Sequence, residues 1–111
     1  MTVTNFNIVP AKQAENTQTT QYTVSNGKLI VDKFTVTNTT NATHQFSCNI
    51  VSESGSASNA NLIIDTKSIS PSKTYSCPEM IGQVIEKGGF ISTLASSASS
   101  LTIAISGRII E

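Results

Sequence analysis

Alternation of apolar and polar residues with a period of two is the feature that most constrains this chain, and it is clearest in residues 28–39. Those residues fall into two sets by parity: Ile30, Asp32, Phe34, Val36 and Asn38, and Leu29, Val31, Lys33, Thr35 and Thr37. Because successive side chains of a strand point to opposite faces, the pattern predicts a strand with one face toward a core. Two adjacent charged residues near its centre indicate partial exposure to solvent.

Similar segments recur along the chain, separated by turn signals about every ten residues. Residues 43–51 are interpreted as a return strand that forms a β-hairpin with residues 28–39. Seven or eight strands in 111 residues predict an all-β fold: a single β-sandwich, Ig-like or jelly-roll-like. The apolar members of the best-patterned strands are the predicted core: Phe34, Val36, Phe46, Ile50, Leu101, Ile103 and Ile105.

One segment has helical features. Ser76-Cys77-Pro78-Glu79 has the form of a capping box, and an apolar stripe from Met80 to Ile85 follows it. Gly88-Gly89 is typical of a helix stop. The pattern therefore predicts one short helix near residues 77–87.

We divide the chain into residues 1–16, an N-terminal arm or edge strand, and residues 17–111, the β-sandwich domain. Within the first part, Val3 to Val9 is an uncharged strand candidate stopped by Pro10. Phe90 to Ser106 is predicted to be a final hairpin, and it too carries no charge. Such a ribbon is either central in a sheet or covered by another chain. We therefore expect a homo-oligomer, with residues 1–16 contributing to its contacts.

The charge content excludes several classes of partner. Seven basic and seven acidic residues give a formal net charge of zero, and charged residues are 13% of the chain, about half the usual share. A nucleic-acid-binding protein needs clustered Lys and Arg, so no nucleic-acid partner is predicted. The longest apolar runs, such as Leu62 to Ile64, are far too short to span a membrane, so no membrane partner is predicted either.

No catalytic, cofactor-binding or metal-binding residues are predicted. His44 is the only histidine, and it lacks an evident carboxylate and nucleophile; we interpret it as a surface residue. Cys48 and Cys77 show neither metal-ligand nor redox spacing, so they are interpreted as small buried side chains, with a disulfide as the alternative. Sugar binding by Tyr22 or Tyr75 is a further alternative. The chain is therefore predicted not to be an enzyme and to need no cofactor.

The motifs of the C-terminal part resemble a recurrent family of small structural proteins of tailed bacteriophages. The matching segments run in order through residues 28–110: Asn61 to Asp65, Ile69 to Tyr75, Ile81 to Ile85, Gly88 to Ser92, Ala95 to Ser99, and Leu101 to Gly107. Two positions depart from the family pattern. Ser72 stands where glycine is usual, and Arg108 stands where an apolar residue is common.

The resemblance implies a virion structural protein, made in the host cytoplasm and located in the virion. The first ten residues also lack the basic and apolar regions of a secretory signal. Within that role we expect a capsid decoration or cement protein, or a head–neck accessory protein, bound to the major capsid protein or to neck or tail proteins. The alternative is a tail- or fibre-associated adaptor, or a receptor- or carbohydrate-binding β-sandwich module.

Overall fold

The computed structural model describes residues 2–111, which form nine β-strands and one turn of 3-10 helix. The strands are β1 (Val3–Gln13), β2 (Thr19–Thr23), β3 (Lys28–Asn38), β4 (His44–Val51), β5 (Leu62–Ile69), β6 (Thr74–Tyr75), β7 (Val84–Glu86), β8 (Phe90–Ala95) and β9 (Leu101–Ile110). The 3-10 turn spans Asn59–Asn61, and Ser58 caps it with a reciprocal capping box. The all-β prediction is confirmed.

The strands form two antiparallel sheets. The first sheet has the order β1-β9-β3-β6, with β7 pairing to β3 beside β6, and the second sheet has the order β2-β8-β4-β5. Pairing is nested along the chain: β1 pairs with β9, β2 with β8, β3 with β6 and β7, and β4 with β5. The uncharged segment 90–106 therefore lies in β8 and in the first part of β9, both central strands of their sheets, which is one of the two arrangements expected for it.

One hydrophobic core lies between the inner faces of the two sheets. Phe34 of the first sheet meets Phe46 of the second edge-to-face, with ring centroids 6.0 Å apart. Six of the seven predicted core residues are confirmed as buried: Phe34, Val36, Phe46, Leu101, Ile103 and Ile105. The prediction for Ile50 is wrong, because this residue is only half-buried. It lies beyond the last β4–β5 pair, Asn49↔Leu62, where β5 no longer flanks β4.

A β-bulge at Asp32 changes which residues of β3 face the core. The pairing of β3 with β9 shifts register between Val31 and Lys33. Leu29 and Val31 are fully buried on the N-terminal side of the bulge, whereas the buried residues beyond it are Phe34, Val36 and Asn38. The extra residue reverses the parity, because side chains alternate strictly along a regular strand. Ile30, which shares its parity with Phe34, consequently points outward and is half-buried.

The two predicted hairpins are wrong, because the strands within each of them do not pair with each other. β3 lies in the first sheet and β4 in the second, and the same is true of β9 and β8. Each connection therefore crosses from one sheet to the other. Either arrangement turns both apolar faces toward one core, so the alternation of residues does not distinguish them.

The predicted helix at residues 77–87 is also wrong; turns and strand β7 occupy this segment. Cys77 and Gly82 have φ angles of +46° and +84°, which a right-handed helix does not accommodate. Gly82 N donates to Val31 O and Val31 N donates to Gln83 O, so β3 takes the hydrogen bonds that a helix would have kept. The Glu79 carboxylate accepts from Tyr75 instead of completing a capping box.

The N-terminal strand runs past the predicted stop at Pro10. β1 pairs with β9 from Val3↔Ile110 to Gln13↔Thr102, with a register shift between Val9 and Lys12. Pro10 falls within that irregularity on an edge strand, where its missing N–H disrupts the sheet least. Residues 3–13 therefore belong to the first sheet of their own chain.

The structure explains the residue types at positions 107 and 38. Gly107 stands at a close approach between two backbones, because a Cβ there would lie 2.3 Å from Ile30 O. Asn38, within a glycosylation-type tripeptide, is completely buried and cannot carry a glycan in the folded chain.

Replacing Ser72 with glycine is expected to stabilise the fold by up to about 1 kcal/mol. Ser72 follows Pro71 in a turn closed by Lys73 N donating to Ser70 O, and its φ is +59°. Glycine adopts that angle without strain, although its greater freedom in the unfolded chain offsets part of the gain. Urea unfolding compares S72G with S70G, the control at a residue whose φ is not positive. A lower unfolding midpoint for S72G than for wild type contradicts the expectation.

Candidate functional site

The two cysteines are buried free thiols. Burial raises the pKa of Cys77 to about 12 and raises that of Cys48 further above its ordinary value. The Sγ of Cys48 lies 3.9 Å from the Met80 sulfur, in the core. Both thiols are therefore protonated at neutral pH and neither is a nucleophile. His44, the sole histidine, begins β4 and is half-buried rather than fully exposed.

The carboxylates are dispersed, and four of them make separate local contacts: Glu15, Asp32, Asp65 and Glu79. Glu15 pairs with Lys12 at 2.9 Å, and Asp32 receives a two-pronged hydrogen bond from Arg108 at 2.9 to 3.1 Å. The latter pair accounts for the arginine at a position where the resembling family has an apolar residue. Within residues 2–111, no three His, Cys, Asp or Glu side chains gather in a group able to hold a metal ion. No helix in that range is long and apolar enough to cross a membrane.

One polar cluster joins the short edge strand β6 to β5. The Tyr75 hydroxyl donates to the Glu79 carboxylate, and Lys67 Nζ lies 4.9 Å from the centre of the Tyr75 ring. Burial, followed by this hydrogen bond, raises the pKa of Tyr75 to about 12. The same hydrogen bond is the main reason why the pKa of Glu79 is lowered. Tyr75 also packs against the core, so a stacking role for its ring would require the cluster to open.

The substitution Tyr75→Phe is expected to raise the pKa of Glu79 toward that of a free glutamate. The phenylalanine ring keeps the packing but removes the hydroxyl that favours the ionised carboxylate. A lowered pKa stabilises the fold above the unfolded-state value and loses that contribution as pH falls through the folded-state value. NMR titration of the Glu79 carboxyl measures the change, with Glu53 as the internal control. An unchanged Glu79 titration contradicts the assignment of this hydrogen bond as the main cause.

The outer face of the second sheet carries a continuous network of neutral polar groups. Asn49 is almost fully buried there and donates to Ser58 O at 2.9 Å and to Asn61 Oδ1 at 2.8 Å. Gln18 donates to Asn49 Oδ1 and to Ser92 Oγ. These bonds hold residues 52–61 against the sheet, so this segment of small polar residues has defined contacts.

A shallow groove of about 350 Å³ crosses the same outer face farther along β4. Its lining is uncharged: Asn16, Gln45, Ser47, Thr66, Leu94, Ala95 and Ser96. Ser47 Oγ accepts from Thr66 N, and Ser96 Oγ accepts from Gln45 N, so the backbone positions these hydroxyls. The exposed Asn16 and Gln45 border a surface that offers amide and hydroxyl groups around Leu94.

The outer face of the first sheet has an apolar end. Cross-strand register places Val3 beside Ile110 in one row, and Ile30 beside Val84 in the next outward-facing row. We call these four residues the Val84 patch. Val3 and Val84 are 48% and 47% exposed, which makes them two of the three most exposed large hydrophobic residues among those described; the third, Ile81, is in the turn before β7.

Sequence reasoning missed the Val84 patch because Ile30 shares its parity with the predicted core residue Phe34, and because residues 84–86 fall in the predicted helix. A signal was present: the apolar positions change parity across the charged pair Asp32-Lys33, as they do at a bulge. Comparison of the chain with protein-family models, curated protein sequences and solved structures gives no match.

Proposed function

We propose that this chain is a structural protein of a tailed-bacteriophage virion: a capsid decoration or cement protein, or a head–neck accessory protein. It is made in the host cytoplasm and binds the major capsid protein or neck or tail proteins. The observation that carries this proposal is the strand order. Two four-strand orders, β1-β9-β3-β6 and β2-β8-β4-β5, with nested antiparallel pairs, are the arrangement expected of a jelly-roll β-sandwich rather than of an Ig-like one. Viral capsid proteins are among the common users of that fold.

The motifs that resemble the phage family support the proposal through their positions in the fold. Gly82 and Gly88 have φ angles of +84° and +88°, and Gly107 lies where a side chain would strike the neighbouring strand. The turn before Tyr75 likewise has a residue of positive φ where the family pattern has glycine. These motif residues therefore serve the backbone geometry, as expected if the resemblance reflects a shared fold.

The chemistry of the side chains favours binding over catalysis. The thiols are protonated and buried, and Glu15 and Asp32 are engaged in separate surface ion pairs. We therefore propose that the protein is not an enzyme and assembles through protein–protein contacts, as a homo-oligomer and with other virion proteins. The zero net charge fits such contacts, because copies do not repel one another.

Quantitative mass spectrometry of purified particles, combined with imaging of their density, tests the role. A decoration protein is expected in a fixed ratio to the major capsid subunit, with density on the shell. A neck accessory protein is expected in a few copies at one vertex. Absence of the chain from purified particles overturns the proposal.

A second candidate, a tail- or fibre-associated carbohydrate-binding module, is favoured by the uncharged groove around Leu94. Neutral sugars are recognised by amide and hydroxyl groups beside a small apolar surface, and Asn16 and Gln45 supply the amides. Titration of the protein with a panel of neutral glycans, followed by NMR, tests this. Shifts confined to the groove and lost in Gln45→Ala support it, whereas an unchanged spectrum rules it out.

A further inference from the structure

The end of the first sheet that carries the Val84 patch repeats a simple arrangement in two successive outward-facing rows. On β3 and β7, Ile30 pairs with Val84, and two residues farther along Lys28 pairs with Glu86. Directly opposite residues of an antiparallel pair project from the same face. On these two strands, one row therefore holds two apolar residues and the other holds two opposite charges.

This arrangement is complementary to itself. A two-fold axis that runs parallel to the strands, midway between β3 and β7, exchanges the two strands between facing copies. It places Ile30 of one copy over Val84 of the other, and Lys28 of one over Glu86 of the other. Each contact occurs twice by symmetry, as in any isologous interface. Like charges do not meet in this arrangement.

We propose that a second copy of this chain docks on this surface through that two-fold axis, with Ile30 and Val84 as the apolar contact and Lys28 and Glu86 as the charged contact. The inference rests on the proposed assembly role and names one of its interfaces. The free side of β7, a three-residue edge strand, leaves room for the partner to approach.

The charges on this face argue against other occupants. Lys28 and Arg108 are balanced by Glu86 and Asp32, and Lys33 lies farther along the same face, beyond the bulge. The surface therefore has no cluster of basic residues with which to attract nucleic acid or an anionic membrane. A partner that carries mostly one sign of charge therefore gains no electrostatic attraction from this surface. A second copy, in contrast, presents each charge with its complement.

The size of the surface sets the expected strength. Because the axis lies between β3 and the edge strands β6 and β7, the facing copies overlap over only two strand widths. From strand spacing and rise, two widths of about ten residues offer roughly 300 Å² per copy, well below the roughly 800 Å² of a stable complex. The isolated protein is therefore expected to dimerise in a concentration-dependent way, and the contact gains strength only where other contacts hold copies together.

Charge exchange at Lys28 and Glu86 tests the interface by sedimentation of the full chain over a range of concentrations. Each single variant, Lys28→Glu or Glu86→Lys, brings like charges together twice and is expected to weaken dimerisation about tenfold or more. The double exchange K28E/E86K is expected to restore it. Lys73→Glu, an exposed site at the turn before β6, changes the net charge as Lys28→Glu does and is expected to leave dimerisation unchanged.

Thermal unfolding of each variant, followed by circular dichroism, separates a lost contact from a lost fold. Three results overturn the interface: a wild-type chain that stays monomeric, a double exchange that does not restore dimerisation, or an equal loss in K73E. Incorporation of K28E into particles is measured separately. If the wild-type chain dimerises and K28E weakens that dimer, yet the wild-type chain is absent from particles, the virion role fails and the interface stands. If the wild-type chain is in particles but does not dimerise, the interface fails and the virion role stands.

Discussion

Replacing Phe46 with alanine is expected to lower the free energy of unfolding by about 3–5 kcal/mol. Phe46 is fully buried in the second sheet and makes the edge-to-face contact with Phe34 across the core. Alanine removes that contact and leaves a cavity between two sheets that hydrogen bonds hold in register, so the site cannot collapse around the smaller side chain. A domain of this size has a total stability of about 5–15 kcal/mol, so the loss is a large fraction.

Urea unfolding followed by far-ultraviolet circular dichroism measures the effect. The matched control is Ile50→Ala, because Ile50 is on the same strand with the same parity but is only half-buried. We expect its cost to be about half that of the phenylalanine or less, since it loses less buried surface. Equal losses for the two variants would show that the burial difference along β4 is incorrect.

The contrast between these two residues shows what alternation determines. Alternation along β4 correctly indicates which face turns inward, because Phe46 and Ile50 share a parity. It does not indicate where the neighbouring strand ends, and the last β4–β5 pair, at Asn49, is what leaves Ile50 uncovered. That information lies in long-range pairing, which a local pattern does not contain.

Long-range pairing also explains two other differences from the predictions: the outward position of Ile30 and the absence of the predicted helix. The parity of Ile30 follows from one extra residue at Asp32, which only the partner strand β9 reveals. The stripe from Met80 to Ile85 has helical spacing, but Met80 and Ile85 point inward while Ile81 and Val84 point outward. Hydrogen bonds to β3 outweigh the local preference, because a helix of two turns is marginal by itself.

These errors also concealed the candidate interface. Ile30 shares its parity with the predicted core residues Phe34 and Val36, and Val84 falls in the predicted helix, so the sequence does not indicate either residue at the surface. The polar network on the second sheet depends on where residues 52–61 lie, and a composition of small polar residues leaves that open. The neutral charge and the dispersed titratable groups, in contrast, follow directly from the sequence.

The second large effect is expected at Asn38, the last residue of β3. Its side-chain amide is fully buried and fully hydrogen-bonded: Nδ2 donates to Ala42 O and Ile69 O, both at 2.8 Å, and Oδ1 accepts from Thr40 N and Thr40 Oγ1. It thus joins the connection between the two sheets to the end of β5. Asn38→Ala leaves two carbonyls and an N–H without this partner, and is expected to cost about 2–4 kcal/mol.

Urea unfolding of Asn38→Ala is compared with that of Asn41→Ala, which changes an exposed asparagine of the same turn and is expected to alter stability by less than about 0.5 kcal/mol.

A third variant, Asn38→Asp, keeps Oδ1 but turns a second oxygen toward the carbonyls of Ala42 and Ile69. The buried carboxyl then favours its protonated form, so its pKa lies above the unfolded-state value of about 4. The folded state binds more protons than the unfolded state, and stability falls as pH rises from about 4. Asn38→Asp is therefore expected to be most stable in mild acid, and a pH-independent deficit relative to wild type would contradict the buried, fully hydrogen-bonded position of Asn38.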